Sequence, residues 1–203
     1  SWGLSAQLYS LRRPGDGGMG DCLALEALAR SAAERGANAL AISPVHAMFT
    51  RNHPSYSPYS PSSRLFFNSL YASPQALLGE RAVRVALDAL PGHASLEQLE
   101  QQPLIDWPQA AKVRQDLLQA LYQDFVQGEH PARADFDSFR QAGGQPLEDH
   151  CRFEALLDAA AERGERQDWR QWPAGRRAAA AVAPAQRRAA AACPAQQRGR
   201  GRA

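Results

Sequence analysis

The fold follows from the stretch GLSAQLYSL, residues 3–11, and from its continuation to Ile42. Apolar and polar residues alternate along residues 3–11, which predicts a β-strand. The next segment, Arg12–Gly20, contains Pro14 and four glycines and is therefore expected to be a loop. Asp21 comes directly after this loop. It is a candidate N-cap, because an aspartate at such a position accepts a hydrogen bond from a free N–H group of the first helical turn.

A helix and a second strand complete this unit. The helix is expected to end before Gly36, since glycine readily adopts the left-handed conformation that follows a helix. Ala39–Ile42 is a short apolar run bounded by Asn38 and Pro44, and it predicts a buried strand. Strand, helix and strand in this order form a βαβ unit in which the two strands pair in parallel. The apolar face of the helix comprises Leu25, Leu28, Ala29 and Ala32.

The pattern of the following hundred or so residues is helical. Ser73 is a candidate N-cap and Pro74 a suitable first helical residue, so a helix is expected over residues 75–90. Apolar spacing predicts two more helices, over residues 107–126 and 146–163. So much helix after only two strands indicates an insertion. The chain therefore divides into a βαβ segment (residues 1–73), a helical insertion (residues 74–173) and a tail (residues 174–203).

The tail differs in kind from the rest of the chain. It contains thirteen alanines and seven arginines but no acidic residue, so removing those arginines turns the formal net charge from +2 to −5. A segment without bulky apolar residues cannot bury a face, and we expect it to be disordered or a frayed helix. A shifted reading frame in GC-rich DNA would produce such a composition. The alternative is a basic arm that binds nucleic acid or another polyanion by weak, salt-sensitive contacts.

Composition restricts the class of protein further. With 203 residues the chain is shorter than a complete α/β barrel of about 250 residues, and it begins without methionine, so we expect a fragment. No run of about 18 apolar residues and no secretory leader occur, which predicts a cytoplasmic protein that does not enter a membrane. The spacing of Cys22, Cys151 and Cys193 fits neither a disulfide framework nor a metal site, and no cofactor is expected.

A proline- and tyrosine-containing stretch, SPYSPSSR at residues 57–64, follows the βαβ unit. Pro58 and Pro61 fix their own φ angles and favour extended geometry before them, so the stretch predicts a stiff loop that holds Tyr59 at a fixed angle. The alternative is a Ser/Pro-rich linker. The apolar run Leu65–Phe67 that follows favours the loop, because linkers rarely continue directly into buried aromatic residues.

This stretch resembles the signature loop of the 4-α-glucanotransferases, the amylomaltases or disproportionating enzymes of glycoside hydrolase family 77. The resemblance extends over residues 2–173, and we find none beyond them. It implies the first two strands of a (β/α)8 barrel with a helical insertion. Further similar segments are 3–12, 18–21, 43–49, 68–71, 104–108, 153–156 and 169–173.

The resemblance also implies an activity: transfer of α-1,4-glucan segments between maltooligosaccharides by a retaining double displacement, which requires two carboxylates. In the family those carboxylates lie on later strands, so no catalytic residue is assigned and the chain alone is expected to be inactive. Four carboxylates in helical surroundings are simply solvated or capping. The alternative is a catalytically dead barrel remnant with weak glucan binding. The four carboxylates are Asp106, Asp135, Asp137 and Glu154.

Part of the sugar site can be carried over from the family. Loops that follow the strands of a parallel barrel face the ligand. Tyr59 matches the tyrosine that stacks on a glucosyl unit in the family, and Ser57 lies beside it. His46 matches a position close to this loop. The alternatives are that Tyr59 packs within a rigid loop and that His46 is a hydrogen-bonded structural residue. Arg64 and Asn68 are expected to brace the loop.

Overall fold

The computed structural model describes residues 1–49, 56–91, 94–165 and 171–175. Two small sheets are followed by a series of helices, and the architecture is mixed α/β. The strands are β1 (Gly3–Ala6), β2 (Ala39–Ile42), β3 (His46–Ala47) and β4 (Ser63–Phe67). The helices are α1 (Cys22–Glu34), α2 (Pro74–Leu78), α3 (Glu80–Ala89), α4 (Ala94–Gln101), α5 (Trp107–Gln127) and α6 (Arg133–Glu162), with single 3-10 turns at Leu8–Ser10 and Ser69–Tyr71.

The predicted βαβ unit is confirmed. β1 and β2 pair in parallel with Gly3 opposite Ala39, and α1 connects them. The side chain of Asp21 accepts hydrogen bonds from two N–H groups of the first turn of α1, as expected of an N-cap. Gly36 follows the helix with a φ of +83°, which agrees with its predicted role as a helix terminator.

The prediction that Ala39–Ile42 is a buried strand is wrong for the described part of the chain. Ile42 is 39% exposed and Leu4, on the paired strand, is 38% exposed. β1 and β2 pair with each other, and the face that carries these side chains is only partly covered in the described part of the chain. An apolar strand is buried only when a second layer packs on it, which its own sequence cannot guarantee.

A second, antiparallel sheet joins β3 to β4, with His46 opposite Phe67 and Ala47 opposite Ser63. The expectation of a buried apolar run over Leu65–Phe67 is only partly met. Leu65 is 77% exposed and Phe67 is 41% exposed, whereas Phe66 packs on the core. Successive side chains of a strand point to opposite faces, so only the middle residue of the run reaches the helices.

The helix predicted over residues 75–90 is two helices. Ser73 caps α2 through its hydroxyl and Pro74 occupies the first turn, as predicted. Gly79 then takes a φ of +88° and a ψ of 158°, which no helix contains, and α3 begins after it. The apolar pattern continues across this residue, so it does not show the break.

The two long helices were predicted with different success. α5 begins at Trp107 as expected, and the side chain of Asp106 caps it by accepting from the N–H of Gln109. α6 is longer than the helix expected over residues 146–163. It also includes residues 133–143, which are separated from the rest by a non-helical Gly144 with φ +54°.

The core lies between the hairpin and the helices. One cluster joins Phe66 of β4 to α5 and α6, and another joins α3 to α5. In a third cluster Met19 and Leu70 pack with Trp107, so the loop after β1 is packed against α5. Hydrophobic burial of this kind fixes the loops relative to the helices. The buried members of the first cluster are Phe125, Phe136, Leu147 and Cys151.

Within the described residues, the helices are too short or too polar to cross a bilayer. Of the tail, only residues 174 and 175 fall inside the described ranges, and the predicted disorder of residues 176–203 lies outside them. The same is true of residues 50–55, which join β3 to the SPYSPSSR stretch, and of Trp169 and Arg170.

Candidate functional site

Tyr59 lies at the tip of a tight turn formed by residues 57–60. The N–H of Ser60 donates to the carbonyl oxygen of Ser57 at 3.0 Å, and Pro58 occupies the second position, where its fixed φ is favoured. The hydroxyl oxygen of Ser57 also accepts from the N–H of Tyr59 at 3.3 Å. Tyr59 is 69% exposed, so the turn presents the ring to solvent.

The three candidate sugar-binding residues are not all together. Ser57 and Tyr59 share the turn, and Ser57 stabilises the backbone that carries the tyrosine. His46 is half-buried at the base of the hairpin, opposite Phe67 on β4. Asn68 stabilises the end of the hairpin: its side chain accepts from the N–H of Leu70, and its own N–H donates to the carbonyl oxygen of Val45. The bracing of residues 57–64 expected of Asn68 and Arg64 stays a prediction.

The end of the loop is attached to α6 by a contact that the sequence did not reveal. The hydroxyl of Ser62 donates to Oε1 of Glu154 at 2.7 Å. His150, one turn earlier on α6, places Nδ1 4.0 Å from the same oxygen, and its ring stacks on Phe66 with centroids 4.5 Å apart. The helix therefore holds both the loop and the strand that follows it.

The interpretation of Glu154 as a solvated carboxylate is wrong. Its side chain is only 14% exposed, and burial raises its pKa from 4.5 to about 8, with the hydroxyl of Ser62 opposing the shift and Asp158 adding to it. Burial likewise lowers the pKa of His150 to about 4. Near neutral pH both groups are uncharged, so their contact is not an ion pair.

The other three carboxylates behave as expected. Asp106 caps α5, Asp135 lies in the first turn of α6, and Asp137 forms an exposed pair with Arg133 at 3.5 Å. None of these arrangements brings two carboxylates to face one another as acid/base and nucleophile, which is the arrangement that retaining glycosyl transfer requires. In the described part of the chain, no group of three or more potential ligands could hold a metal ion.

The loop after β1 is fixed by buried charges. Asp16 is 1% exposed and accepts from the Arg12 guanidinium at 2.8 Å and from the N–H groups of Arg13 and Gly18. Burial alone would raise the pKa of Asp16, but these donors outweigh it and hold the pKa below its ordinary value. The loop is thus stiff. It lies at the same edge of the sheet as the hairpin after β2, because β1 and β2 are parallel and each segment follows the carboxyl end of its strand.

Arg114 connects this loop to α5. Its guanidinium is buried and donates to the carbonyl oxygens of Asp16, Met19 and Ala72. Asp21 lies 3.8 Å away and forms a closer pair with Arg13 at 2.6 Å. The sequence predicted the N-cap role of Asp21 but not this network, because its partners are distant along the chain.

Comparisons with known proteins show what this chain is similar to. The sequence model of glycoside hydrolase family 77, described as 4-alpha-glucanotransferase, matches residues 6–197, so the match runs beyond residue 173, where the resemblance read from the sequence ends. A 4-alpha-glucanotransferase of Mycobacterium tuberculosis is 30% identical over 182 residues, which cover 85% of this chain and 24% of that protein. One from Haemophilus influenzae is 26% identical over 197 residues, covering 88% and 28%.

The fold agrees with these matches. The crystal structure of amylomaltase from Corynebacterium glutamicum superposes with a TM-score of 0.65 at 26% identity, covering 94% of this chain and 28% of that one. The chain thus spans about a quarter of the length of the curated relatives it matches. Since the family model covers most of its residues, the chain belongs to glycoside hydrolase family 77, the 4-alpha-glucanotransferases.

Proposed function

We propose that this chain supplies a glucan-binding part of a 4-α-glucanotransferase that transfers α-1,4-glucan segments between maltooligosaccharides. In this proposal β1 and β2 are the first two strands of a (β/α)8 barrel, and α2–α6 form a helical insertion. The loop after β1 and the hairpin after β2 then belong to the ligand-binding end, since loops that follow barrel strands form the site.

The exposure of Tyr59 is the observation that carries the proposal. An aromatic side chain that is 69% exposed at the tip of a hydrogen-bonded turn is not there to fill a core. A tyrosine offers an apolar ring face to the C–H groups of a glucosyl unit and a hydroxyl to its polar groups. Because Pro58 and Ser57 fix the turn, its backbone loses little freedom on binding.

Ser57 and His46 have supporting parts in this proposal. The oxygen of Ser57 already accepts from the N–H of Tyr59, so its remaining hydroxyl proton is available to a sugar oxygen beside the stacked ring. His46, at the base of the hairpin, would meet a neighbouring sugar unit.

The chemistry proposed for the whole enzyme is a double displacement. In the first step one carboxylate attacks the anomeric carbon and forms a glycosyl-enzyme, while a second, protonated carboxyl group gives its proton to the leaving oxygen. In the second step a hydroxyl group of the acceptor glucan, instead of water, attacks the glycosyl-enzyme. The four carboxylates singled out from the sequence lie at helix starts, in a surface pair or in a buried contact. We therefore infer that this chain alone binds glucan without turning it over.

Calorimetric titration of the 203-residue chain with maltoheptaose tests the binding. Tyr59→Ala is expected to weaken affinity roughly tenfold, the value of one stacking contact, whereas Tyr59→Phe retains the ring and most of the affinity. Leu65→Ala is a matched control, because Leu65 is an exposed apolar residue of the same hairpin. If the wild-type chain binds no glucan, or if Tyr59→Ala binds as well as wild type, the proposal is wrong.

Turnover is tested separately with maltotriose. The chain alone is expected to release no glucose and to form no longer oligomers, which are the two products of disproportionation. Sustained formation of both by the purified chain would overturn the inference that its carboxylates are insufficient for catalysis.

A further inference from the structure

The contact between Ser62 and Glu154 joins two parts of the chain that have different roles in the proposed function. Ser62 ends the loop that carries Tyr59, and Glu154 lies in the middle of α6. The hydroxyl donates to the carboxyl oxygen at 2.7 Å, a good geometry for a hydrogen bond. A side-chain hydrogen bond between residues this far apart in the sequence restricts the conformations of the loop much more than a contact between near neighbours would.

Ser62 is held from two sides. Its N–H donates to the carbonyl oxygen of Ala47 at 2.8 Å, which fixes the backbone against β3. Its hydroxyl is fixed against α6 by Glu154. Tyr59 is only three residues away, and the turn between them has its own hydrogen bond from Ser60 to Ser57. The orientation of the exposed ring therefore depends on where Ser62 is placed.

The surroundings of Glu154 favour a neutral carboxyl group. The titratable groups that face it are His150 and Asp158, both on its own helix, and from the hairpin it meets the hydroxyl of Ser62. On the other side of α6, the described neighbours are apolar, with Trp172 packed on Leu157. No described cation compensates a charge at this position, so ionisation would drive the side chain toward water.

We propose that Glu154 is a positioning residue for glucan binding: its carboxyl group fixes Ser62 and thereby sets the angle at which Tyr59 meets the sugar. This inference rests on the proposed function, since it assigns Tyr59 to the glucan. It adds a role for the helical segment, which would act on the site through the loop without touching the ligand.

A merely structural role would stabilise the fold without altering the loop. The positioning role predicts that the loop and the affinity for maltoheptaose change together. Ser62→Ala and Glu154→Ala each remove the contact, so affinity is expected to fall several-fold in both variants. Glutamine keeps an oxygen that accepts from the Ser62 hydroxyl, so Glu154→Gln is expected to bind maltoheptaose as wild type does.

Hydrogen exchange at pH 7 tests the contact without any glucan. The amides of residues 57–63 are expected to exchange about tenfold faster in Ser62→Ala and in Glu154→Ala, since each removes one partner of a partly buried hydrogen bond. Glu154→Gln is expected to remain near wild type. Glu148→Gln is the matched control, because it is the same substitution on the same helix but at a residue that forms a surface pair with Arg140.

The outcomes separate the two ideas. If exchange over residues 57–63 in Ser62→Ala equals that of wild type and its affinity for maltoheptaose is unchanged, the positioning role is wrong, and Ser62→Ala decides this even if Glu154→Ala does not fold. If Tyr59→Ala weakens glucan binding while the Ser62 and Glu154 variants bind normally, only this inference fails. If Tyr59→Ala has no effect on binding either, the proposed function is wrong as well.

Discussion

Arg114 on α5 and Asp21 at the start of α1 approach within 3.8 Å, with the two side chains 7% and 0% exposed. The guanidinium also donates to three carbonyl oxygens, so it fixes the loop after β1 to the helical segment. Burial lowers the pKa of Arg114, and the carboxylate of Asp21 opposes this shift. Burying such a charge costs desolvation free energy, and leaving its buried partners unpaired costs more.

Replacing this arginine is therefore expected to destabilise the fold strongly. Arg114→Met removes one partner of Asp21 and a donor from each of three buried carbonyl groups. The carbonyl group of Asp16 keeps a second donor, the N–H of Met19 at 3.5 Å. We expect a loss of about 3–5 kcal/mol in the free energy of unfolding. Urea denaturation measures this loss. Lys112→Met is the control, since Lys112 lies on the same helix and forms an exposed pair worth at most about 1 kcal/mol. Equal losses in the two variants would contradict the interpretation.

Gly79 provides a test of backbone conformation alone. It separates α2 from α3 with φ +88° and ψ 158°, and no atom lies within 4 Å of where a Cβ would stand. Gly79→Ala is thus expected to cost about 1–3 kcal/mol through strain and not through a clash. Gly128→Ala is the matched control, because Gly128 also ends a helix but has a φ of −96°. A melting temperature lowered equally by both substitutions would show that strain at Gly79 is not the cause.

The parts of the fold that were predictable from sequence are those that local chemistry determines. Asp21, Ser73 and Asp106 are caps because their side chains reach N–H groups two or three residues ahead, and any such sequence can form that contact. The parallel pairing of β1 with β2 follows from the order strand, helix, strand. These features needed no knowledge of the rest of the chain.

The parts that were missed depend on distant partners. Glu154 looks like a surface residue on a helix, and only its contact with Ser62 explains its burial. Leu65 and Ile42 look like core residues, yet in the described part of the chain they are 77% and 39% exposed. Of the candidate site, the sequence indicated the turn around Tyr59, because its prolines and serines act locally. The attachment of that turn to α6 could not be predicted from local sequence.

Trp107 tests how the loop after β1 is attached to α5. Its ring stacks on Tyr56 with centroids 5.4 Å apart and meets the edge of Tyr9 at 5.3 Å. Trp107 is partly buried, so Trp107→Ala, which removes both contacts, is expected to lower the free energy of unfolding by about 2 kcal/mol in urea denaturation. Trp107→Phe is expected to recover part of this loss. Leu104→Ala, at a residue that is 81% exposed, is expected to have almost no effect. A small effect of Trp107→Ala would mean that the aromatic contacts add little to packing.

His150 and Glu154 together predict how stability depends on pH. The pKa of Glu154 is raised from 4.5 to about 8 by burial, so above pH 4.5 the unfolded chain loses its proton first and stability falls until about pH 8. The pKa of His150 is lowered from 6.5 to about 4, so the unfolded chain gains a proton first and stability falls as the pH drops from 6.5 to 4. The two slopes have opposite signs and offset each other between pH 4.5 and 6.5.

Above pH 6.5 only the slope caused by Glu154 remains, so this side chain is expected to dominate the loss of stability toward pH 8. Glu154→Gln removes the ionisation, and its unfolding free energy should exceed that of wild type by about 2–4 kcal/mol at pH 8 but by much less at pH 5. Urea denaturation at pH 5, 6.5 and 8 measures the difference, with Glu148→Gln as the exposed control. A gain of the same size at all three pH values would show that Glu154 is ionised in the folded chain, because only a carboxyl group that takes up a proton on folding produces a difference that grows with pH.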